Sequence, residues 1–180
     1  MSEGGGAESG AGFTIERLLP DAAEAEIAAV EELGRAVLEG SGVSFREELG
    51  RAWSRIWVAR GALPDPRAPV GFLLGWHVAD ELHVLDIAAL PALRRRGIGR
   101  ALMSTLLAYA REHKIRVVLL EVRRSNRPAI KLYRAFSFTA LGVRKGYYAD
   151  NGEDAIEMIL ALDPDTGRRL PSRDEISIDG

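Results

Sequence analysis

The 180-residue chain contains no cysteine. That excludes disulfides, thiolate nucleophiles and cysteine-based zinc sites, and it fits a reducing cytoplasm. No stretch approaches the roughly 18 uninterrupted apolar residues of a membrane span, so no span is expected, and no membrane is counted among the expected partners. The start, MSEGGGAESGAG, has neither a basic opening nor an apolar run, and does not read as a signal peptide. Neither sign of charge is in excess: Lys+Arg total 24 and Asp+Glu 26, a formal net charge of −2. This balance argues against a nucleic-acid coat and leaves room only for a local basic patch. With 47% hydrophobic and 28% charged residues, collagen, a coiled-coil rod and a wholly disordered chain are also excluded. Several motifs are missing as well. There is no HExxH and no acidic loop cluster, so no dedicated metal site is expected. There is no GxSxG elbow of the common serine hydrolases and no GK[ST] of a P-loop.

What is present reads as one domain with polar ends. Five of the first twelve residues are Gly and the rest are small or acidic, so residues 1–12 are expected to be a disordered arm. Residues 163–180, DPDTGRRLPSRDEISIDG, have turn formers and mixed charge without a periodic apolar face, and are expected to be a similarly unpacked polar tail. Between them, residues 13–162 form a core of comfortable size. FTIERL at 13–18 alternates like a half-buried strand. Asp21 with Glu24 reads as a capping box for a helix carrying Ile27, Val30, Leu33 and Val37, which Gly40 can stop. Ser44 with Glu47 reads as a second box, for a short helix reaching about Ala52. Residues 55–60, 70–79 and 81–89 read as strands, 97–114 as a helix with Leu102, Leu106, Leu107 and Ala110 on one face. VVLLEV at 117–122 reads as a central strand covered on both sides. A helix over 127–135 and strands over 138–143 and 155–162 complete the order β α α β β β α β α β β. That order predicts a mixed sheet with helices on its faces, in the α+β to α/β range.

Three segments carry candidate chemistry. In Arg94-Arg95-Arg96-Gly97-Ile98-Gly99-Arg100, two glycines let the backbone turn tightly just before a helix. The helix start supplies free N–H groups and the positive dipole end, and four arginines in seven residues complement phosphate oxygens. The alternative is a glycine-softened loop with solvated arginines. A dinucleotide fingerprint would need a further glycine, and position 102 is Leu. Glu121, at the end of an apolar strand, is either a desolvated general base or a surface carboxylate paired with Arg123 or Arg124. In NRPAIKLY, Asn126 can cap a helix, and Tyr133 lies two turns on, as a core residue or as a weak acid in a site. His77, His83 and His113 read as structural. Trp53, Trp57 and Trp76 read as core or groove-lining.

Taken together and in this order, these segments resemble the GNAT superfamily of N-acetyltransferases. The Arg-x-x-Gly-x-Gly signature falls on Arg94 to Gly99, preceded by ELHVLDIAALP. The similarity continues through LLEVRRSNRPAIKLYRAFSF to VRKGYYADNGEDAIEMIL. The last stretch looks like the bacterial ribosomal-protein-alanine N-acetyltransferases, the RimI type. The resemblance implies a GNAT fold, with about seven mostly antiparallel strands and about four helices on both faces. It implies acetyl-CoA as co-substrate, with no metal. Ile87, Ala88 and Ala89 would pair with the pantetheine arm, Arg94, Arg95, Arg96, Gly97, Ile98, Gly99 and Arg100 would hold the pyrophosphate, and Asn126 would touch the arm. Glu121 would match the general base and Tyr133 the general acid. Tyr147 and Tyr148 would line the peptide side, and Asp86 stands where a carboxylate could meet a substrate ammonium.

The implied acceptor is the N-terminal alanine of a small-subunit ribosomal protein, number eighteen in this subfamily, with no direct nucleic acid and a monomer favoured. Elementary chemistry agrees with an N-terminal amine. Deprotonation at pH 7 costs about 1 kcal/mol for an α-amine and about 4.6 kcal/mol for a lysine. One modest carboxylate suffices for the first. The alternative is a GNAT enzyme acting on small amines or protein lysines. A third reading, a cofactor-binding module without catalysis, is opposed by the presence of both Glu121 and Tyr133. One departure from the family pattern is Phe136-Ser137-Phe138 in place of Leu-Gly-Phe. A positive φ at Ser137 would cost around 1 kcal/mol relative to Gly.

Overall fold

The computed structural model describes residues 12–38, 43–61 and 64–178. Its elements in chain order are β1 (Phe13–Leu18), α1 (Glu24–Val37), α2 (Phe45–Leu49), β2 (Ser54–Gly61), β3 (Pro69–Val78) and β4 (Glu81–Ala89). A 3-10 turn (Pro91–Leu93) leads to α3 (Ile98–Glu112), β5 (Val117–Arg123), α4 (Arg127–Ala135), β6 (Thr139–Tyr148) and β7 (Glu153–Ala161). This is the order read from the sequence. The seven strands form one sheet in the order β1-β2-β3-β4-β5-β7-β6. The β1–β2, β2–β3, β5–β7 and β6–β7 ladders are antiparallel, and β4–β5 is parallel. All but Gly12 of the expected arm, and the expected helix stop at Gly40, lie outside the described residues. Among the described residues no helix is long and apolar enough to cross a membrane.

The chain divides into two units. One holds Met1–Trp76 and Asp86–Leu107. In it β1 buries Phe13, Ile15 and Leu18, and α1 buries Ile27, Val30 and Leu33, as their spacing predicts. The start of α1 differs from expectation. Pro20 and Asp21 occupy a tight turn closed by the Ala22 N–H on the Leu19 carbonyl at 3.0 Å. The helix therefore begins at Glu24, capped by Ala23 without a side-chain bond. Proline favours the second position of such a turn, and that local preference overrides the Asp21 cap. Ser44 does cap α2: its Oγ accepts from the Glu47 N–H at 3.3 Å. That helix ends at Leu49 rather than Ala52, because the chain turns at 51–54, with the Ser54 N–H on the Arg51 carbonyl at 3.1 Å, to enter β2. Trp57 is core, Trp76 donates to Glu48 at 2.7 Å, and Trp53 is exposed.

The other unit holds His77–Leu85 and Ala108–Gly180. Strand β5 buries Val118, Leu120 and Val122, while Val117, Leu119 and Glu121 are only half-buried. The expectation of a strand covered on both sides is thus corrected: its apolar run conceals an ordinary alternation. Helix α4 spans the predicted residues, and Asn126 caps it, accepting from the Ala129 N–H at 3.2 Å. Strand β6 runs five residues past the expected Val143, to Tyr148. Ser137 does adopt a positive φ, 69°, and Arg169 donates to its Oγ at 3.1 Å.

Residues 163–178 are not a loose tail. Arg134 on α4 grips Asp174 through two bonds, 2.5 and 2.7 Å. The same carboxylate accepts from the Ala140 N–H of β6 at 2.7 Å, and the Glu175 N–H returns to the Ala140 carbonyl at 2.8 Å. Ile178 is buried, and Arg127 donates to its carbonyl at 3.3 Å. Composition alone hid this, because the anchors are single polar contacts rather than an apolar stripe. The Arg134 guanidinium holds the Asp174 carboxyl below its usual range. Its contribution to stability is therefore present above pH 4 or so and lost as pH falls through the folded value. Asp174→Ala should cost about 1–2 kcal/mol and lower the melting temperature by roughly 2–6 °C at pH 7. The deficit should shrink below pH 4; an unchanged melting curve at pH 7 would mean the segment does not brace α4.

Candidate active site

In the first unit the candidate residues follow one another along the chain. Ile87, Ala88 and Ala89 are the half-buried end of β4. The parallel ladder of β4 with β5 covers Glu81 to Val84 only. After β4 the Leu90 N–H bonds the Val70 carbonyl at 2.9 Å, and buried Leu93 anchors the 3-10 turn. Two left-handed residues then reverse the backbone: Arg95 at φ 65° and Gly97 at φ 89°. Holding a non-glycine residue there costs about 1–2 kcal/mol, a strain that clusters at ligand-binding turns. Alternating left-handed residues of this kind form concave nests of backbone N–H groups. The first bond of α3 runs from the Ala101 N–H to the Gly97 carbonyl, 2.9 Å. The N–H groups of Ile98, Gly99 and Arg100 belong to the helix's first turn, which contains no acidic residue. Arg94, Arg95, Arg96 and Arg100 are exposed, and the space beside Gly97 is open. These residues fit a pyrophosphate: donors, positive charge and room coincide.

This turn rests on a residue that sequence reasoning missed. Gly71 in β3 lies where an added Cβ would stand 2.8 Å from Ile98 Cγ2 and 2.9 Å from the Ala88 carbonyl oxygen. No side chain fits, so the start of α3 and the end of β4 both settle onto bare backbone. The signal was available: a glycine inside an apolar strand often marks a close approach. Asp86 is half-buried one residue before the segment Ile87–Ala89, and burial pushes its carboxyl up to about 6.

The second unit holds the rest. Glu121 meets neither alternative partner. Its Oε1 accepts from Arg144 Nη1 at 2.8 Å, whereas Arg123 turns to Asp150 at 2.9 and 3.0 Å and to Glu153 at 3.4 Å. The Glu121 side chain is 31% exposed. In register, Glu157 of β7 stands directly opposite it. Arg144 and Glu157 are the other residues the sequence reading overlooked. Both follow from strand register, which a one-dimensional pattern does not fix between distant strands. The Tyr133 ring is buried, 5.9 Å from Phe138. Tyr147 and Tyr148 meet edge to face at 5.2 Å; Tyr148 lies against Arg123 at 3.8 Å and the exposed Tyr147 against Arg144 at 4.4 Å. His77 bonds the Tyr109 hydroxyl at 2.8 Å, His113 the Tyr109 carbonyl at 3.0 Å and His83 Glu81 at 2.8 Å, the structural roles expected of them. Among the described residues no group of three His, Asp or Glu is placed to hold a metal ion.

Residues 22–138 match the model of the acetyltransferase (GNAT) family, and the chain belongs to that family. It is 39% identical over 87 residues to the [ribosomal protein bS18]-alanine N-acetyltransferase of Escherichia coli K12, a match covering 47% of this chain and 59% of that protein. It is 46% identical over 81 residues to the N-alpha-acetyltransferase of Sulfurisphaera tokodaii, covering 44% and 48%. The chain thus spans between about half and three fifths of the length of these relatives. In structure it is similar to the ribosomal-protein-S18-alanine N-acetyltransferase from Escherichia coli, with a TM-score of 0.72 and 26% identity, over 84% of this chain and 94% of that one.

The raised Asp86 carboxyl has a testable sign. The folded state holds its proton more tightly than the unfolded chain, whose Asp titrates near 3.9. Stability is therefore lost as pH rises from about 4 to 6, by up to roughly 3 kcal/mol. Asp86→Asn should melt several degrees above wild type at pH 8 and level with it at pH 4. Equal melting temperatures at both would show that Asp86 is solvated.

Proposed function

We propose that the protein is an acetyl-CoA-dependent N-α-acetyltransferase whose acceptor is the N-terminal alanine of a small-subunit ribosomal protein, met in the cytoplasm. The observation that carries the reading is the left-handed turn at Arg95 and Gly97 opening α3, with its arginines and acid-free first helical turn. The similarity to the bS18-alanine enzymes supports the choice of acceptor.

Bound acetyl-CoA would supply an activated acetyl thioester. The backbone of Arg95 to Arg100 would hold its diphosphate, with Arg94 adding charge, while Ile87, Ala88, Ala89 and Asn126 would line its arm. Glu121 takes the proton from the acceptor ammonium, directly or through one water, and the Tyr133 hydroxyl returns a proton to the leaving sulfur. An α-amine suits a carboxylate base, since freeing it costs about 1 kcal/mol at pH 7. The exposed Tyr147, with Tyr148 behind it, flanks the acceptor peptide, and Asp86 greets its ammonium. No acyl-enzyme is needed, because the freed amine attacks directly.

Mass spectrometry of peptides incubated with acetyl-CoA and protein tests this. A peptide with the free N-terminus of the ribosomal protein should gain one acetyl group on its α-nitrogen, and an N-blocked copy none. Acetylation of the blocked copy on lysine, or of small amines alone, would overturn the acceptor. Glu121→Gln should lower kcat by about 100-fold with acetyl-CoA affinity within about twofold; equal loss of both would give Glu121 a structural role.

A further inference from the structure

We infer that Arg144 is a positioning residue that holds the Glu121 carboxylate for proton abstraction and ties it to the two-tyrosine segment. The inference rests on the proposed N-acetyltransferase function. The sheet poses an electrostatic problem around Glu121. Glu121 on β5 and Glu157 on β7 are direct cross-strand partners, and Glu157 pairs in turn with Gly142 on β6. Paired residues share a sheet face, so two carboxylates stand side by side, an arrangement that repels. Two features relieve it. Gly142 has no side chain, and the Glu157 Oε2 sits 2.9 Å from where its Cβ would be, so Glu157 leans over β6 and away from Glu121. Arg144, two residues along β6, then reaches across β7 to Glu121 Oε1 at 2.8 Å. The β7 residue in its row is Ala155, whose methyl leaves the path clear. With Oε1 held, the carboxylate is fixed in orientation, and no described residue bonds Oε2.

The same guanidinium lies 4.4 Å from the Tyr147 ring. That contact matters because the β6–β7 register breaks between Arg144 and Tyr148, and Gly146 in between has φ 60°. Tyr147 is therefore placed by side chains, Arg144 on one side and Tyr148 at 5.2 Å on another, rather than by a continuous ladder. Arg144 is the link between the base and the segment proposed to flank the peptide. Stability does not explain it: the Arg144 side chain is 48% exposed, and such surface pairs add little to folding.

Kinetics on the full chain test the inference. Arg144→Ala should melt within about 3 °C of wild type, showing an intact fold. Its kcat for the free N-terminal peptide should fall about tenfold while the KM for acetyl-CoA stays within about twofold. Arg144→Lys, which keeps the charge, should recover kcat to within about threefold of wild type. In the Glu121→Gln background, Arg144→Ala should cost less than about twofold further, because it acts through the carboxylate. A wild-type kcat in Arg144→Ala, a lysine variant no better than alanine, or a loss that multiplies with that of Glu121→Gln would overturn the inference and leave the proposed function standing. A wild-type protein that acetylates no N-terminal peptide would overturn both.

Discussion

The proposed chemistry depends on a backbone constraint: a short turn forced into left-handed conformations at Arg95 and Gly97 and clamped between buried Leu93 and buried Ile98. The strain at Arg95 persists because both flanks are fixed. Leu93 is packed at the end of the 3-10 turn, and Ile98 descends onto Gly71, where there is room for no Cβ. A looser seat would let the turn relax toward ordinary φ values and lose its array of N–H groups. Further along α3, Leu102, Met103 and Leu106 are fully buried, each contributing about 1.5–3 kcal/mol, so the helix start cannot drift. Packing in the core thus appears as preorganisation at the proposed anion site.

In the second unit the constraint is charge rather than backbone. Three β6 and β7 residues, Gly142, Arg144 and Glu157, decide the surroundings of Glu121. Around them a second arginine, Arg123, fastens the Tyr148 ring and the acidic loop at Asp150 and Glu153. Each tyrosine of the pair therefore carries its own guanidinium, one tied to the loop and one to the proposed base. Residues 163–178 brace the unit through Asp174, which ties Arg134 of α4, the helix that carries Tyr133, to Ala140 of β6. Ser137 is tolerated at φ 69° in this setting, where Arg169 adds a bond that glycine could not receive.

Local rules were legible in the sequence and long-range ones were not. The element order, the limits of β4 and α4, and the Ser44 and Asn126 caps follow from preferences within a few residues, whereas the question of a positive φ at Ser137 arose only from the family's Leu-Gly-Phe pattern. The Asp21 cap failed for a local reason too: Pro20 claimed the residue for a turn. Glu121's partner, the one-sided burial of β5 and the docking of residues 163–178 require knowing which strands are neighbours and in what register. Gly71 was legible only as a glycine out of place. Candidate residues within motifs can be named from the sequence; Arg144 and Glu157, placed beside Glu121 by strand register, cannot.

The most direct test of the central claim is a calorimetric titration of the full chain with acetyl-CoA, beside Gly97→Val. The account predicts saturable one-to-one binding that weakens as salt rises, since phosphate contacts are screened. It predicts at least a roughly tenfold weaker titration for Gly97→Val, because valine cannot hold φ near 89° without strain. A folded wild type that gives no saturable binding, or a folded Gly97→Val that binds as tightly as wild type, would contradict it.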